Sequence, residues 1–116
     1  MLSAIRALIY AKEVIFLKSI ITDNSNCCYL CGCSRNLECH HIFGGPNRSK
    51  SERLGIVVPL CHDCHNEPPF GVHHNAQVMN RLKQIGQEKA MKKYGWTADK
   101  FREIFGKNYL DKKEKN

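Results

Sequence analysis

The chain has 116 residues, 42% of them hydrophobic and 25% charged, which is enough for one globular domain with a modest core. Lys and Arg outnumber Asp and Glu by 18 to 11, a formal charge of +7 that suits a polyanionic partner, nucleic acid first among them. A membrane helix is not expected, because no uninterrupted apolar run approaches the roughly 18 residues that spanning requires.

Residues 1–21, "MLSAIRALIYAKEVIFLKSII", are apolar-rich but interrupted by Arg6, Lys12, Glu13 and Lys18. They read as an amphipathic N-terminal helix, not as a secretory signal with a basic start and a small-residue cleavage site. "DNSN" (23–26) ends that helix as a turn cluster. "CYLCG" (28–32) is a tight knuckle. Residues 36–43 read as a short strand, 44–53 ("GGPNRSKSER") as a loop, and 54–60 ("LGIVVPL") as a β-branched second strand. "CHDCHNE" (61–67) opens a short helix that "PPFG" stops. From Asn75 to Lys93, Val78, Leu82 and Ile85 recur at helical spacing. Gly95 breaks that helix. Thr97 caps a last helix carrying Phe101, Ile104 and Phe105, and Gly106 follows it as a C′ residue. Three segments result: the extension 1–21, a domain over 22–110, and a charged tail, 111–116.

Seven cysteines form an odd set. In a reducing compartment such a cluster points to metal, not to disulfides. Cys28-x2-Cys31 and Cys61-x2-Cys64 each offer two thiolates, and together they complete one tetrahedral structural Zn²⁺ site. The 29 residues between the pairs hold a strand–loop–strand unit whose ends the metal would bring together. A domain this small gains folding energy from such a clip. Cys27 or Cys33 is able to replace Cys28 or Cys31 as ligand. Cys39 shares a strand face with Leu37 and His41 and is expected in the core.

Zinc does not account for the histidines. All six lie between His40 and His74, in "ECHHIF", "CHDCH" and "GVHHN". Adjacent strand residues face opposite ways, so His40 and His41 are able to serve a metal and a substrate separately. Several histidines converging near the short helix would form a second metal site with open positions. Arg48, Lys50 and Arg53, just after the pair, are placed to hold phosphates or offset charge, and Lys83, Lys89, Lys92 and Lys93 to extend a backbone contact.

The ordered set "CYLCG…LECHHIFGG…LGIVVPLCHDCH" resembles the HNH nucleases, also called ββα-metal or His-Me finger nucleases. "HHIFGGPNR", "GVHHN" and "YGWTADKFREIFGKNYL" extend the likeness, to small phage and prophage HNH proteins, as far as Leu110. The resemblance implies an α+β fold with a zinc-stapled, treble-clef-like ββα core and flanking helices. It implies His40 and His65 as ligands of a catalytic divalent ion (Mg²⁺, Mn²⁺, Ni²⁺ or Zn²⁺), His73 as a third with His74 as substitute, and His41 as general base. The middle Asn of the family motif is replaced by Ile56.

The expected activity is hydrolysis of DNA phosphodiester bonds in the cytoplasm of a bacterial host, with other phage or host proteins as possible partners. A zinc finger that grips nucleic acid without cutting it is the alternative, and an assembly factor acting through its helices a further one. Because the likeness begins near "LKSII", residues 1–16 are expected to be dispensable to the site.

Overall fold

The computed structural model describes residues 19–110. They form a small mixed α+β fold around a two-stranded antiparallel sheet, β1 (Leu37–His41) and β2 (Val57–Cys61). The register sets Leu37 opposite Cys61, His40 opposite Val58 and His41 opposite Val57. A 3-10 turn (Gly45–Asn47) and helix α1 (Arg48–Leu54) lie between the strands. After β2 come α2 (His62–Asn66), a 3-10 turn (Val72–His74), α3 (Ala76–Tyr94) and α4 (Ala98–Phe105).

Every residue of β2 is buried. Its outer edge is closed by backbone and side-chain bonds from the N-terminal side. Tyr29 N–H donates to the Pro59 carbonyl at 2.8 Å, and Ser19 Oγ donates to the Val57 carbonyl at 2.6 Å. Pro59 lacks an N–H, so it fits a strand whose second neighbour is an irregular segment and not a third strand.

The core joins Ile42, Phe43, Ile56, Val58 and Leu60 of the strand region to Leu82 and Ala90 of α3 and Phe101 and Phe105 of α4. Gly86 lets α3 come close: a Cβ there would lie 3.0 Å from Ile42 Cγ2 and 3.1 Å from Ile56 Cγ2. Buried Gln87 pins the C-terminal segment, donating to Asn108 Oδ1 at 2.8 Å and accepting from Tyr109 N–H at 2.7 Å.

The caps follow the sequence. Asn75 Oδ1 accepts from Val78 N–H, and Thr97 Oγ1 from Lys100 N–H. Gly95 and Gly106 end α3 and α4 in the left-handed region at φ 71° and 92°.

The first strand ends at His41 and not at residue 43, and three further segments differ from expectation. The stretch 44–53 is not a loop. Its Gly, Pro and Asn are confined to the first four residues, and from Arg48 the chain is helical, anchored by Ser51, which is fully buried. The second strand starts at Val57 because Gly55, at φ 81°, terminates α1 and Ile56 N–H is taken by the Ser51 carbonyl. Residues 19–21 are not helical. Ser19 Oγ accepts the N–H groups of Ile21 and Thr22, while Ile20 N–H donates to the Gly55 carbonyl. The rest of the expected N-terminal helix, the dispensability of 1–16 and the tail 111–116 lie outside the described residues. Among the described residues no helix is long and apolar enough to cross a membrane.

Candidate functional site

The knuckle at 28–33 is shaped by its backbone. Gly32, at φ 85°, donates to the Cys28 carbonyl, and Cys28 N–H donates to the Cys33 carbonyl. Cys31 N–H points at Cys28 Sγ, 3.4 Å away. Cys61, the last residue of β2, and Cys64, on α2, bring the second pair.

The four sulfurs of Cys28, Cys31, Cys61 and Cys64 lie within 4.8 Å of one another. Cys31 Sγ and Cys61 Sγ are 3.7 Å apart. Zn–S bonds of about 2.3 Å in a tetrahedron require sulfurs about 3.8 Å apart, so the cluster matches a zinc ion. The thiols also need a cation to ionise together. Burial works against the Cys28 thiolate, yet hydrogen bonds from the backbone of Cys61, Cys31 and Leu30 hold its pKa down at about 7. Cys64 is pushed up, by burial first and then by hydrogen bonding to the neighbouring thiols and the Cys28 charge.

Neither Cys27 nor Cys33 belongs to the cluster. Cys33 Sγ instead accepts the Arg35 N–H at 3.3 Å. Cys39 is not in the core. The face it shares with His41 lies against α1, and burial there, reinforced by the Glu52 charge, raises its thiol to about 11.

A second cluster joins His40, His65 and His73, each offering one ring nitrogen within 4.8 Å of the others. It is assembled from three elements: β1, α2 and the 3-10 turn before α3. His65 Nε2 and His73 Nε2 face each other at 3.1 Å. Metal–nitrogen bonds of about 2.0–2.1 Å give ligand separations of about 2.8–3.4 Å in octahedral or tetrahedral geometry. His40 is 2% exposed, and its Nε2 is buried without a hydrogen-bond partner. A buried polar atom left unpaired costs on the order of 1–3 kcal/mol, and a metal would satisfy it.

Protonation favours the ligand form. Burial, with the nearby charges of His65 and His73 adding, depresses His40 to about 3, and burial lowers His73 too. Both imidazoles are therefore neutral at ordinary pH. For His65 the tautomer is fixed from behind. Its Nδ1 is 2.7 Å from Glu38 Oε1, and hydrogen bonds from His65 and His62 hold the Glu38 carboxyl below its usual range. An ionised carboxylate only accepts, so Nδ1 carries the proton and Nε2 presents a lone pair to the cluster.

Glu38 escaped the sequence reading. The signal was present: it stands two residues before His40, on the same strand face. The carboxylate also takes bonds from Asn66 Nδ2 and from His62 Nδ1, and His62 reaches Glu67 through Nε2 at 3.0 Å. His62 is thus a strut on α2 and stands outside the cluster. Of the two candidates in "GVHHN", His73 joins the cluster and His74 does not.

His41 is separate from the three. A cavity of about 260 Å³ is lined by Cys39, His40, His41, Gly44, Gly45, Arg48, His65 and His73. It wraps the end of β1, so both strand faces contribute. His41 Nε2 bonds to Glu52 Oε1 at 3.1 Å. Gly45, one of the lining residues, sits at φ 56° in the left-handed region.

Of the three basic residues singled out after the pair, Arg48 lines this cavity. Lys50 does not; its ammonium donates to the Ile104 carbonyl at the end of α4. Arg53 borders a different cavity, with Ser19, Asp23 and Lys93. Ile56 is fully buried and offers no polar group. The end of β1 is instead tied by Ser51, whose Oγ accepts from Phe43 N–H at 3.1 Å and donates to the Phe43 carbonyl at 2.8 Å.

Comparison with protein-family models, with curated proteins and with solved structures gives no match.

Proposed function

We propose that the protein is an HNH-type endonuclease that hydrolyses DNA phosphodiester bonds, with β1, β2 and α2 as its ββα-metal unit. The observation that carries this reading is the division of labour around one cavity. Three histidines converge with a buried, unpaired nitrogen among them, while His41 lines the same cavity and stays out of the cluster. A plain zinc finger needs the four cysteines and the charge of +7 but gives no reason for that second cluster.

In this reading His40, His65 and His73 hold a divalent ion, Mg²⁺, Mn²⁺, Ni²⁺ or Zn²⁺. Such an ion supplies charge neutralisation at the scissile phosphate and stabilises the leaving 3′ oxygen. His41 takes a proton from the attacking water. The water oxygen bonds to phosphorus as the bond to the 3′ oxygen breaks; that oxygen takes a proton from solvent water, so a phosphate is left on one strand end and a hydroxyl on the other. Arg48 contacts the phosphate from α1. Glu38 holds His65, and the four-cysteine zinc holds the ends of the unit together. The cytoplasm of a bacterial host of a phage or prophage is the setting this activity fits.

Supercoiled plasmid incubated with the protein and each of the four ions tests the reading. Nicked or linear product that depends on a divalent ion is expected. Salt-sensitive DNA binding with no cleavage under any of the ions would favour the non-catalytic zinc finger.

A further inference from the structure

We propose that Glu52 is a positioning residue for His41: through Nε2 it holds the imidazole in one tautomer and one orientation, so that Nδ1 is the atom left to accept a proton in the cavity. The inference rests on the reading of His41 as the base.

The geometry comes from α1, the helix that stands where a loop was expected. Arg48 and Glu52 are four residues apart, one turn, and so share a face of that helix. Arg48 lines the cavity, and Glu52 Oε1 lies 3.1 Å from His41 Nε2. Among the described residues Glu52 pairs with the His41 ring and makes no ion pair with the Arg48 guanidinium one turn away.

The chemistry is one-sided. An ionised carboxylate has only lone pairs to offer, so His41 Nε2 must donate. A neutral imidazole carries a single ring proton, and with Nε2 protonated the lone pair is on Nδ1. Without the carboxylate the ring is free to exchange tautomers and to turn about its bond to Cβ. The two partners are unequally covered: the His41 side chain is 7% exposed and that of Glu52 48%. The contact therefore orders a covered imidazole with a carboxylate that stays largely solvated, and changing Glu52 removes the restraint without opening the core.

The test uses the zinc-loaded full chain in two arms. Long-range ¹H–¹⁵N correlation spectra read the His41 tautomer in wild type, Glu52→Gln and Glu52→Ala, with no substrate present. Wild type should show Nε2–H, Glu52→Gln should keep it because the amide oxygen accepts the same proton, and Glu52→Ala should give a mixture. In plasmid cleavage, Glu52→Ala should lower kcat about 10–100-fold with little change in KM, and Glu52→Gln should recover part of the loss. A wild-type kcat in Glu52→Ala overturns the proposal, as does a loss carried by KM alone. If the wild type cuts no DNA, the nuclease reading fails, and the spectra alone decide whether Glu52 orders His41: an unchanged tautomer in Glu52→Ala refutes it.

Discussion

His40 and His41 are neighbours in the chain and have different surroundings. His40 is sealed beneath α2 and the turn that follows it, among two other imidazoles, and its Nε2 has no partner. His41 lies on the opposite face, against a carboxylate. Strand alternation accounts for the split, and it also places Glu38 beside His40. Glu38 holds His65 by a bond of 2.7 Å, and its loss should be felt at the histidine cluster and not at the cysteines. Glu38→Gln is expected to weaken a divalent ion at the three histidines about 10–100-fold, as outer partners of metal ligands do elsewhere. Isothermal titration with Mn²⁺ on the zinc-loaded protein would read it; an unchanged affinity would show that His65 needs no such support. The three clustered histidines could be named from the sequence because a rare residue type recurs in short motifs and the family resemblance singled out three of the six. Glu38 could not, because a lone Glu in a strand looks the same whether it props a histidine or faces water.

Helix α1 shows how the elements are tied together. The composition of 44–53 suggested a loop, but the glycines and proline occupy only its beginning, and the helical half is specified by a tertiary contact. Ser51 is buried and exchanges two hydrogen bonds with the Phe43 backbone. Lys50 and Asn47, on the same short segment, bond the last carbonyls of α4. Such long-range bonds leave no periodic trace in seven residues, whereas α3 and α4 were readable from repeating apolar positions and from Asn75, Thr97 and the terminal glycines. Ser51→Ala should leave the Phe43 N–H and carbonyl unpaired in the interior, costing about 1–3 kcal/mol. Thermal or urea unfolding should show the loss, and a transition at the wild-type midpoint would mean that α1 is held by other contacts.

In the whole molecule, the cysteine cluster and the sheet depend on each other. The knuckle reaches β2 through Tyr29 and Pro59, and the cluster joins that knuckle to the end of β2 and the start of α2. The two CxxC pairs were enough to foresee this, since four thiols at that spacing have few other uses in a small basic chain. What spacing could not show is that the cysteine cluster and the histidine cavity share α2, so that disturbing one should disturb the other. Cys61→Ser is expected to lower bound zinc well below one per chain and to abolish a cooperative unfolding transition, because binding and folding energy are the same quantity in such units. Full zinc by metal analysis with an unchanged melting curve would contradict that. The most direct measurement of the whole proposal is cleavage of supercoiled plasmid across a range of divalent-ion concentrations by wild type, His40→Ala and His41→Ala. The account predicts that His41→Ala keeps its metal affinity but cuts about 10²–10⁴-fold more slowly at every concentration, while His40→Ala needs more ion and regains part of its rate when given it. Wild-type cleavage by His41→Ala, or an exchange of the two behaviours, would contradict it.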